Sequence, residues 1–305
     1  MRMTDITASG FTQDTIGKSA VAIGCFDGLH LGHMQVIKQA LKQELTPVVF
    51  TFSHKSILPK LGRKEDIIPY DLKLKLLEKS GVSYIYAPDF ADVKDMTAQQ
   101  FVQEILVDRL NAGFVSCGYD FHFAKGGTAD ADALSEICKE HGIEVCVVPA
   151  VKSDGETVSS TLIRQLIKSG DLEKANRFLG YKLTYSLEVI HGKKNGRKMG
   201  FPTINQTIPA GMTVPKFGVY KSRTKIGNAE YPSVTNIGVK PTIDLEEGEQ
   251  RSPLMETHII GYDGELYGEM VSVSLLSFIR AERKFDGLKE LSEQLEKDKK
   301  LAVDS

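Results

Sequence analysis

The chain has 305 residues, 41% of them hydrophobic, which is long for a single core and favours two domains. Lys plus Arg number 38 against 40 Asp plus Glu, so a net charge of −2 excludes a general attraction to nucleic acid or to an acidic membrane surface, and any phosphate site must be local. The opening MRMTDITASGF lacks the apolar core of a secretory leader, no run approaches the length of a membrane span, and the four cysteines (Cys25, Cys117, Cys138, Cys146) include no CxxC pair. Reduced, buried thiols, no zinc and a cytoplasmic location are expected.

In chain order, Val21, Ala22 and Ile23 read as a short buried strand, and Gly24 and Gly28 supply backbone for a tight turn. Leu31, Val36, Ile37, Ala40, Leu41 and Leu45 then repeat at helical spacing. Strand, glycine turn and helix put His30 and His33 at the helix start, where unpaired N–H groups and the positive end of the macrodipole favour an anion. Pro47 to Phe52 reads as a second strand, Asp71 to Ser80 as a helix closed by Gly81, and Val82 to Ala87 as a third strand. Thr97 with Gln100 has the form of a capping box before Phe101, Val102, Ile105, Leu106 and Leu110 on one helical face. Phe114 to Cys117 is a strand, Asp132 to His141 a helix stopped at Gly142, and Ile143 to Val148 a further strand. Such alternation predicts a doubly wound parallel sheet with helices on both faces, its ligands gathered beyond the strands' carboxyl ends.

Residues 159–180 predict two short helices interrupted at Ser169–Gly170, closing a first domain at 182. From 183 to 305 the pattern changes to short segments with Gly, Pro and Asn punctuation, several alternating apolar and polar residues, which suits a small antiparallel barrel. Leu288, Leu291 and Leu295 predict a closing amphipathic helix from Gly287 to Lys299.

Two histidines three apart are by themselves most often structural. Here a second polar cluster, Ser159, Ser160 and Thr161 with Arg164 one turn on, opens another helix at the same sheet edge, and hydroxyls with an arginine at a helix start suit a triphosphate. GCFDGLHLGH, with Gly24, Phe26, Asp27 and Gly28 in its turn, resembles the GxFDGxHxGH signature of nucleotidyltransferases, and SSTLIR resembles their SSTxIR motif. With GYDFHFAKGG between them, the order is similar to the adenylyltransferase half of the prokaryotic bifunctional riboflavin kinase/FAD synthetase family. The resemblance implies a nucleotidyltransferase-like domain in which FMN phosphate attacks the α-phosphorus of ATP and pyrophosphate leaves. It gives His30 and His33 the reacting phosphates, Asp27 the ordering of the turn or a metal, and Ser160, Thr161 and Arg164 the leaving pyrophosphate. The flavin side departs from the family: FTFSHKS keeps His54 without its flanking prolines, and Asp120 to Asp130 lacks two of the usual arginines and two glycines. Replacing arginine by histidine removes a permanent forked phosphate donor.

The second concentration is HGKKNGRKMGFPTIN, residues 191–205, a glycine-rich basic loop containing Gly196, Gly200 and Pro202. Thr203 and Asn205 share one face of an extended segment, and a hydroxyl beside an amide suits magnesium and a nucleotide phosphate. The stretch resembles the GRxLGFPTAN motif of riboflavin kinases, and GVY, NIGVKPT, METHI, LYG and FIRAERKF follow in the family's order. This implies a six-stranded antiparallel barrel with a C-terminal helix. In it Glu256 would take the proton of the ribityl hydroxyl as that hydroxyl attacks the γ-phosphorus of ATP, and Arg280 with Glu282 would either contact flavin or pair across the start of the last helix. The implied cofactors and substrates are Mg2+, ATP, riboflavin, FMN and FAD. Partners are then small molecules, with no nucleic acid and no membrane, and self-association is left at a weak homo-oligomer. A second reading makes the chain a riboflavin kinase whose first domain has lost or restricted its adenylyltransferase activity and serves as a regulatory nucleotide- or flavin-binding module.

Overall fold

Alternation of apolar strands and amphipathic helices builds the first of two units. The computed structural model describes residues 4–6, 17–53, 65–192, 201–239 and 253–303. One unit comprises Met1–Lys64 and Tyr70–Ser160, the other Glu65–Pro69 and Thr161–Ser305.

The first unit runs β1 (Thr4–Ile6), β2 (Ser19–Ile23), α1 (Leu31–Leu41), β3 (Thr46–Phe50), α2 (Tyr70–Ser80), β4 (Tyr84–Tyr86) and α3 (Phe90–Val93). It continues through α4, where Ala98–Gln100 passes into a π-helix over Phe101–Arg109, then β5 (Ala112–Gly118), α5 (Ala131–Glu140), β6 (Glu144–Val148) and a small hairpin of β7 (Lys152–Ser153) and β8 (Glu156–Thr157). All sheet pairings from β1 to β6 are parallel, in the order β1-β4-β3-β2-β5-β6. Every residue of β2 is buried, with Val21 and Ile23 packing into one apolar cluster and Ala20 and Ala22 into another. That two-sided burial is what helices on both faces require, and each such Val or Ile contributes about 1.5–3 kcal/mol.

The capping box forms as its sequence predicts: Gln100 N donates to Thr97 Oγ1 at 3.1 Å and Thr97 N to Gln100 Oε1 at 2.9 Å. The helix that follows is wound more loosely than an α-helix, with Leu110 N donating to Ile105 O at 2.9 Å. Phe101 with Ile105, and Leu106 with Leu110, are spaced by four and all four are buried in the wider turn. The strand β1 and the β7–β8 hairpin are too short to show any apolar alternation and are not legible in the sequence.

The second unit begins with α6 (Ser160–Ser169, its first residue closing the other unit) and α7 (Leu172–Leu179). It continues with β9 (Leu183–Glu188), β10 (Thr203–Thr207), β11 (Gly218–Ile226), β12 (Ala229–Gly238), β13 (Leu254–Ile259), β14 (Met270–Arg280) and α8 (Leu288–Val303). The sequence reading ends the first domain at 182, after these two helices, yet their hydrogen bonds run to the barrel. Asn176 Nδ2 donates to Leu275 O at 2.9 Å, Asn176 Oδ1 accepts from Leu183 N at 2.7 Å, and Lys216 N donates to Ile167 O at 3.2 Å. An amphipathic sequence states that one face is buried, not which core receives it.

The six strands are antiparallel neighbours in the order β10-β13-β12-β11-β14-β9. The outer strands meet through a bridge in which Ile190 N donates to Asn205 O at 2.8 Å, and Gln206 Nε2 reaches Leu187 O at 2.7 Å and Val271 O at 2.8 Å. Inside, five fully buried hydroxyls form a file: Thr224 donates to Ser233, Ser233 and Ser222 share a bond, Ser222 bonds Thr235, and Thr235 bonds Thr257, each at 2.8–2.9 Å. A buried hydroxyl without a partner costs about 1–3 kcal/mol, so these groups are tolerated inside only as a connected set.

The closing helix is pinned by charge. Arg280 NH2 donates to Asp298 Oδ2 at 2.8 Å and Arg280 Nε contacts both carboxylate oxygens, while Gln294 Nε2 donates to Asp298 Oδ1 at 2.7 Å. The Asp298 side chain is fully buried. Asp298→Ala would leave the guanidinium without its counter-charge, and the barrel unit's urea-unfolding free energy is expected to fall by about 3 kcal/mol, with Arg280→Met in the same chain recovering most of the loss.

Candidate functional site

In a parallel sheet the chain leaves every strand at the same edge, and the loops diverge where strand order reverses. Here the chain moves outward from β2 to β3 and β4, then returns to place β5 on the other side of β2. The crevice between the ends of β2 and β5 is therefore the switch point of the sheet. Residues 24–30 leave β2 there, and the segment from Asp120 to Asp130 follows β5.

The turn after β2 is strained. Phe26, Gly28 and Leu29 all adopt left-handed backbone, with φ of 49°, 79° and 39°. For the two residues that carry a Cβ, that conformation costs about 1–2 kcal/mol each. Gly24 is required by closeness instead, because a Cβ there would lie 3.1 Å from the Phe26 ring. His30 is the N-cap of α1, its Nδ1 accepting from His33 N at 3.3 Å. The two imidazoles stack, centroids 3.6 Å apart and planes 17° from parallel, and Phe26 meets the His33 ring edge-on at 5.4 Å. The pair thus sits as one plate at a helix N-terminus, the arrangement that favours an anion. Asp27 is buried, and its carbonyl accepts from Ser160 Oγ at 2.9 Å, which ties the serine cluster to the turn. Ser159 is half-buried beside it in the chain.

Thr161 and Arg164 lie in the other unit, Thr161 exposed and Arg164 Nε donating to Glu65 O at 2.9 Å. Asp120 is exposed, its carbonyl 3.0 Å from the Nδ1 of the exposed His122. His54, Gly196 and Gly200 lie outside the described residues.

The barrel places its own site on neighbouring strands. Asn205 of β10 is the cross-strand partner of Glu256 of β13, and Thr203 that of His258. Glu256 is also paired in register with Asn236 of β12, so this exposed carboxylate stands between two asparagines. Both amide oxygens, Asn205 Oδ1 and Asn236 Oδ1, are buried and accept no hydrogen bond among the described residues. Asn236 Nδ2 donates to Glu282 Oε1 at 3.0 Å. The Asn205 amide lies over Gly192, where a Cβ would come within 2.4 Å of Nδ2. A cleft of about 230 Å³ adjoins it, lined by Gly192, Pro202, Thr203, Asn205, Thr257 and Tyr267 among others.

Sequence patterns leave Arg280 with two roles, and its guanidinium is engaged by Asp298 well along α8 rather than at that helix's start, while Glu282 faces Asn236. Two residues at these sites draw no role from the sequence patterns, although one of them, His258, stands within METHI. His258 holds the Pro202 carbonyl through Nδ1 at 2.9 Å and packs against Phe201, fixing the chain directly before Thr203. Lys73 is buried beneath the turn after β2, and only its position one helical turn before the buried Leu77 hints at this.

A strained, histidine-capped turn at a sheet switch point, joined to a barrel whose carboxylate faces two asparagines, defines a two-unit protein of phosphate chemistry. Comparison with known families makes the assignment specific. The family model described as FAD synthetase matches residues 12–162, and the one described as riboflavin kinase matches 179–305. A bifunctional riboflavin kinase/FMN adenylyltransferase from Bacillus subtilis is 36% identical over 94% of this chain and 92% of its own length. The protein of the same name from Escherichia coli is 31% identical over 91% and 90%. A crystal structure from Streptococcus pneumoniae, described as a macrolide-efflux protein, superposes with a TM-score of 0.84 at 30% identity, covering 98% of this chain and 99% of that one. Among the described residues no helix is long and apolar enough to cross a membrane. The chain belongs to the bifunctional riboflavin kinase/FMN adenylyltransferase family.

Burial holds the His258 ring below the ordinary imidazole value, a push reinforced by Lys299 and opposed by the Pro202 carbonyl and Glu296. A histidine kept neutral in the folded state must take up its proton on unfolding, so stability falls as pH drops below the unfolded value of about 6.5. The barrel's thermal midpoint is expected to decline between pH 7 and pH 5 in the parent and to decline less in His258→Gln.

Proposed function

We infer that this chain phosphorylates riboflavin to FMN and adenylylates FMN to FAD, with ATP as co-substrate of both reactions. The observation that carries the reading is that both halves are present on one chain, matched separately along residues 12–162 and 179–305. No observation favours the reading in which the first half only regulates.

For the adenylyl transfer, a phosphate oxygen of FMN forms the new bond to the α-phosphorus as the bond to pyrophosphate breaks, and no protein nucleophile is needed. His30 and His33 donate to the reacting phosphates from the start of α1, Gly24, Phe26, Asp27 and Gly28 shape the turn beneath them, and Ser159 and Ser160 anchor it. Thr161 and Arg164 take the pyrophosphate side, and His54 and Asp120 the flavin side.

For the kinase, Glu256 accepts the ribityl hydroxyl's proton as the oxygen attacks the γ-phosphorus, a late transfer suited to a carboxylate. Thr203 and Asn205 fit Mg2+, since the Asn205 Oδ1 is buried without a partner and oxygen donors are what that ion takes. When bound, Mg2+ would offset charge on the ATP phosphates. Pro202 and the glycine-rich run with Gly196 and Gly200 serve the nucleotide.

The four cysteines are free thiols, and burial pushes Cys117 and Cys138 up to about 12, which suits a protein of the reducing cytoplasm.

Purified protein given ATP and magnesium should make FMN from riboflavin and FAD from FMN, read by chromatography; FAD absent from both incubations would refute the bifunctional reading. His30→Ala with His33→Ala should cut FAD formation about 10²–10³-fold and leave FMN formation intact. Glu256→Gln should do the reverse, lowering FMN formation by about 10²–10⁴. Gly192→Ala, which must displace the Asn205 amide, should lower kcat/KM for riboflavin phosphorylation about tenfold or more, with FAD formation from supplied FMN unchanged.

A further inference from the structure

Among the described residues, Lys73 is the one buried lysine or arginine, 8% exposed, and it lies beneath the turn after β2. Its Nζ donates to the Cys25 carbonyl at 2.8 Å and to Thr51 Oγ1 at 2.6 Å, and the same threonine hydroxyl donates to the Cys25 carbonyl at 3.0 Å. Two donors, one from α2 and one from the residue after β3, therefore close on one carbonyl oxygen of the turn. Removing an ammonium from water is costly, and an apolar side chain beside Leu77 would complete that face of α2 more cheaply. The cation's placement points to a task at the turn.

The task follows from the geometry of one peptide. Cys25 precedes Phe26, the first left-handed residue of the strained turn. A trans peptide directs its N–H opposite to its carbonyl, so holding the Cys25 oxygen toward Lys73 also fixes the direction of the Phe26 N–H and the torsion into Phe26. Phe26 in turn touches the His33 ring edge-on, and His33 stacks on His30. A slack Cys25 peptide would let Phe26 relax from its left-handed conformation and would release the imidazole plate.

We propose that Lys73, with Thr51, is a positioning residue for adenylyl transfer: it clamps the Cys25 carbonyl and thereby holds the Phe26 turn and the His30–His33 pair in register with the reacting phosphates. The proposal rests on the adenylyltransferase reading of this turn. Lys73 touches no substrate; it acts through the peptide it holds, so its loss falls on turnover more than on nucleotide binding.

The test uses the full-length protein and measures FAD formation from FMN and ATP, with riboflavin phosphorylation by the same preparation as an internal control. Lys73→Met and Thr51→Val should each lower kcat for FAD formation about 10- to 100-fold, with KM for ATP changed by less than about threefold. Thr51→Ser, which keeps the hydroxyl, should restore near-parent turnover, and riboflavin phosphorylation should be unchanged throughout. Parent-like kcat in Lys73→Met or Thr51→Val overturns the proposal, as does a loss in Thr51→Ser equal to that in Thr51→Val. If Lys73→Met leaves α2 unprotected in hydrogen exchange, the Thr51 pair decides by the same criteria. A parent protein that makes no FAD from FMN refutes the reading of the site itself, before any variant is compared.

Discussion

The first unit depends on one constraint of parallel sheets: all connections leave at one edge, and only where strand order reverses do two of them part to leave room for a ligand. Placing β2 at the centre, with β3 on one side and β5 on the other, puts the loop of residues 24–30 at that place. Every special feature of the loop follows from the need to turn sharply there and still begin a helix. Left-handed backbone at Phe26 and Leu29 is the steric cost of the sharp turn, and full burial of β2 is what holds it. A strained turn on a mobile strand would relax; a strand packed on both faces gives this one a fixed base, and the bonds from Lys73 and Thr51 to the Cys25 carbonyl hold the turn itself.

The barrel solves its positioning problem by register. Asn205, Glu256 and Asn236 occupy matching places on three adjacent strands, and a slip of one residue in β13 would turn Glu256 inward and bring Thr257 out. The interior prevents that slip, because Thr257 is the last member of the hydroxyl file and Met255 and Ile259 flank it in the core. Chemistry on the outer face is thus secured by packing on the inner one.

Much of this was legible in the residues. The VAIGCFDGLHLGH pattern specifies strand, turn and helix, and its two histidines do stand at the start of α1, His30 as the N-cap and His33 in the first turn; the capping box at Thr97 and the closing helix after Gly287 also form where periodicity puts them. Less legible were features set by partners distant in sequence. Nothing local tells that Lys73 turns inward to a carbonyl 48 residues away, that Arg280 meets Asp298, or that Asn176 of α7 bonds the Leu275 carbonyl of β14. A lysine in a helix reads as solvent-facing until the opposing carbonyl is known. The looser winding of α4 was hidden for another reason: a spacing of four fits both an α-helix and a π-helix, and only the hydrogen bonds distinguish them.

The file of five hydroxyls has a consequence for how this interior can vary. Each member is satisfied by its neighbours, so a lone Val at Thr235 would orphan the Thr257 hydroxyl and leave Ser222 with one partner instead of two, whereas replacing the whole file by apolar residues would orphan none. The route between those two states passes through intermediates worse than either end. The polar interior is therefore inherited as a block: its members are expected to be retained or exchanged together across descendants of this barrel, a correlated pattern that no single position would reveal.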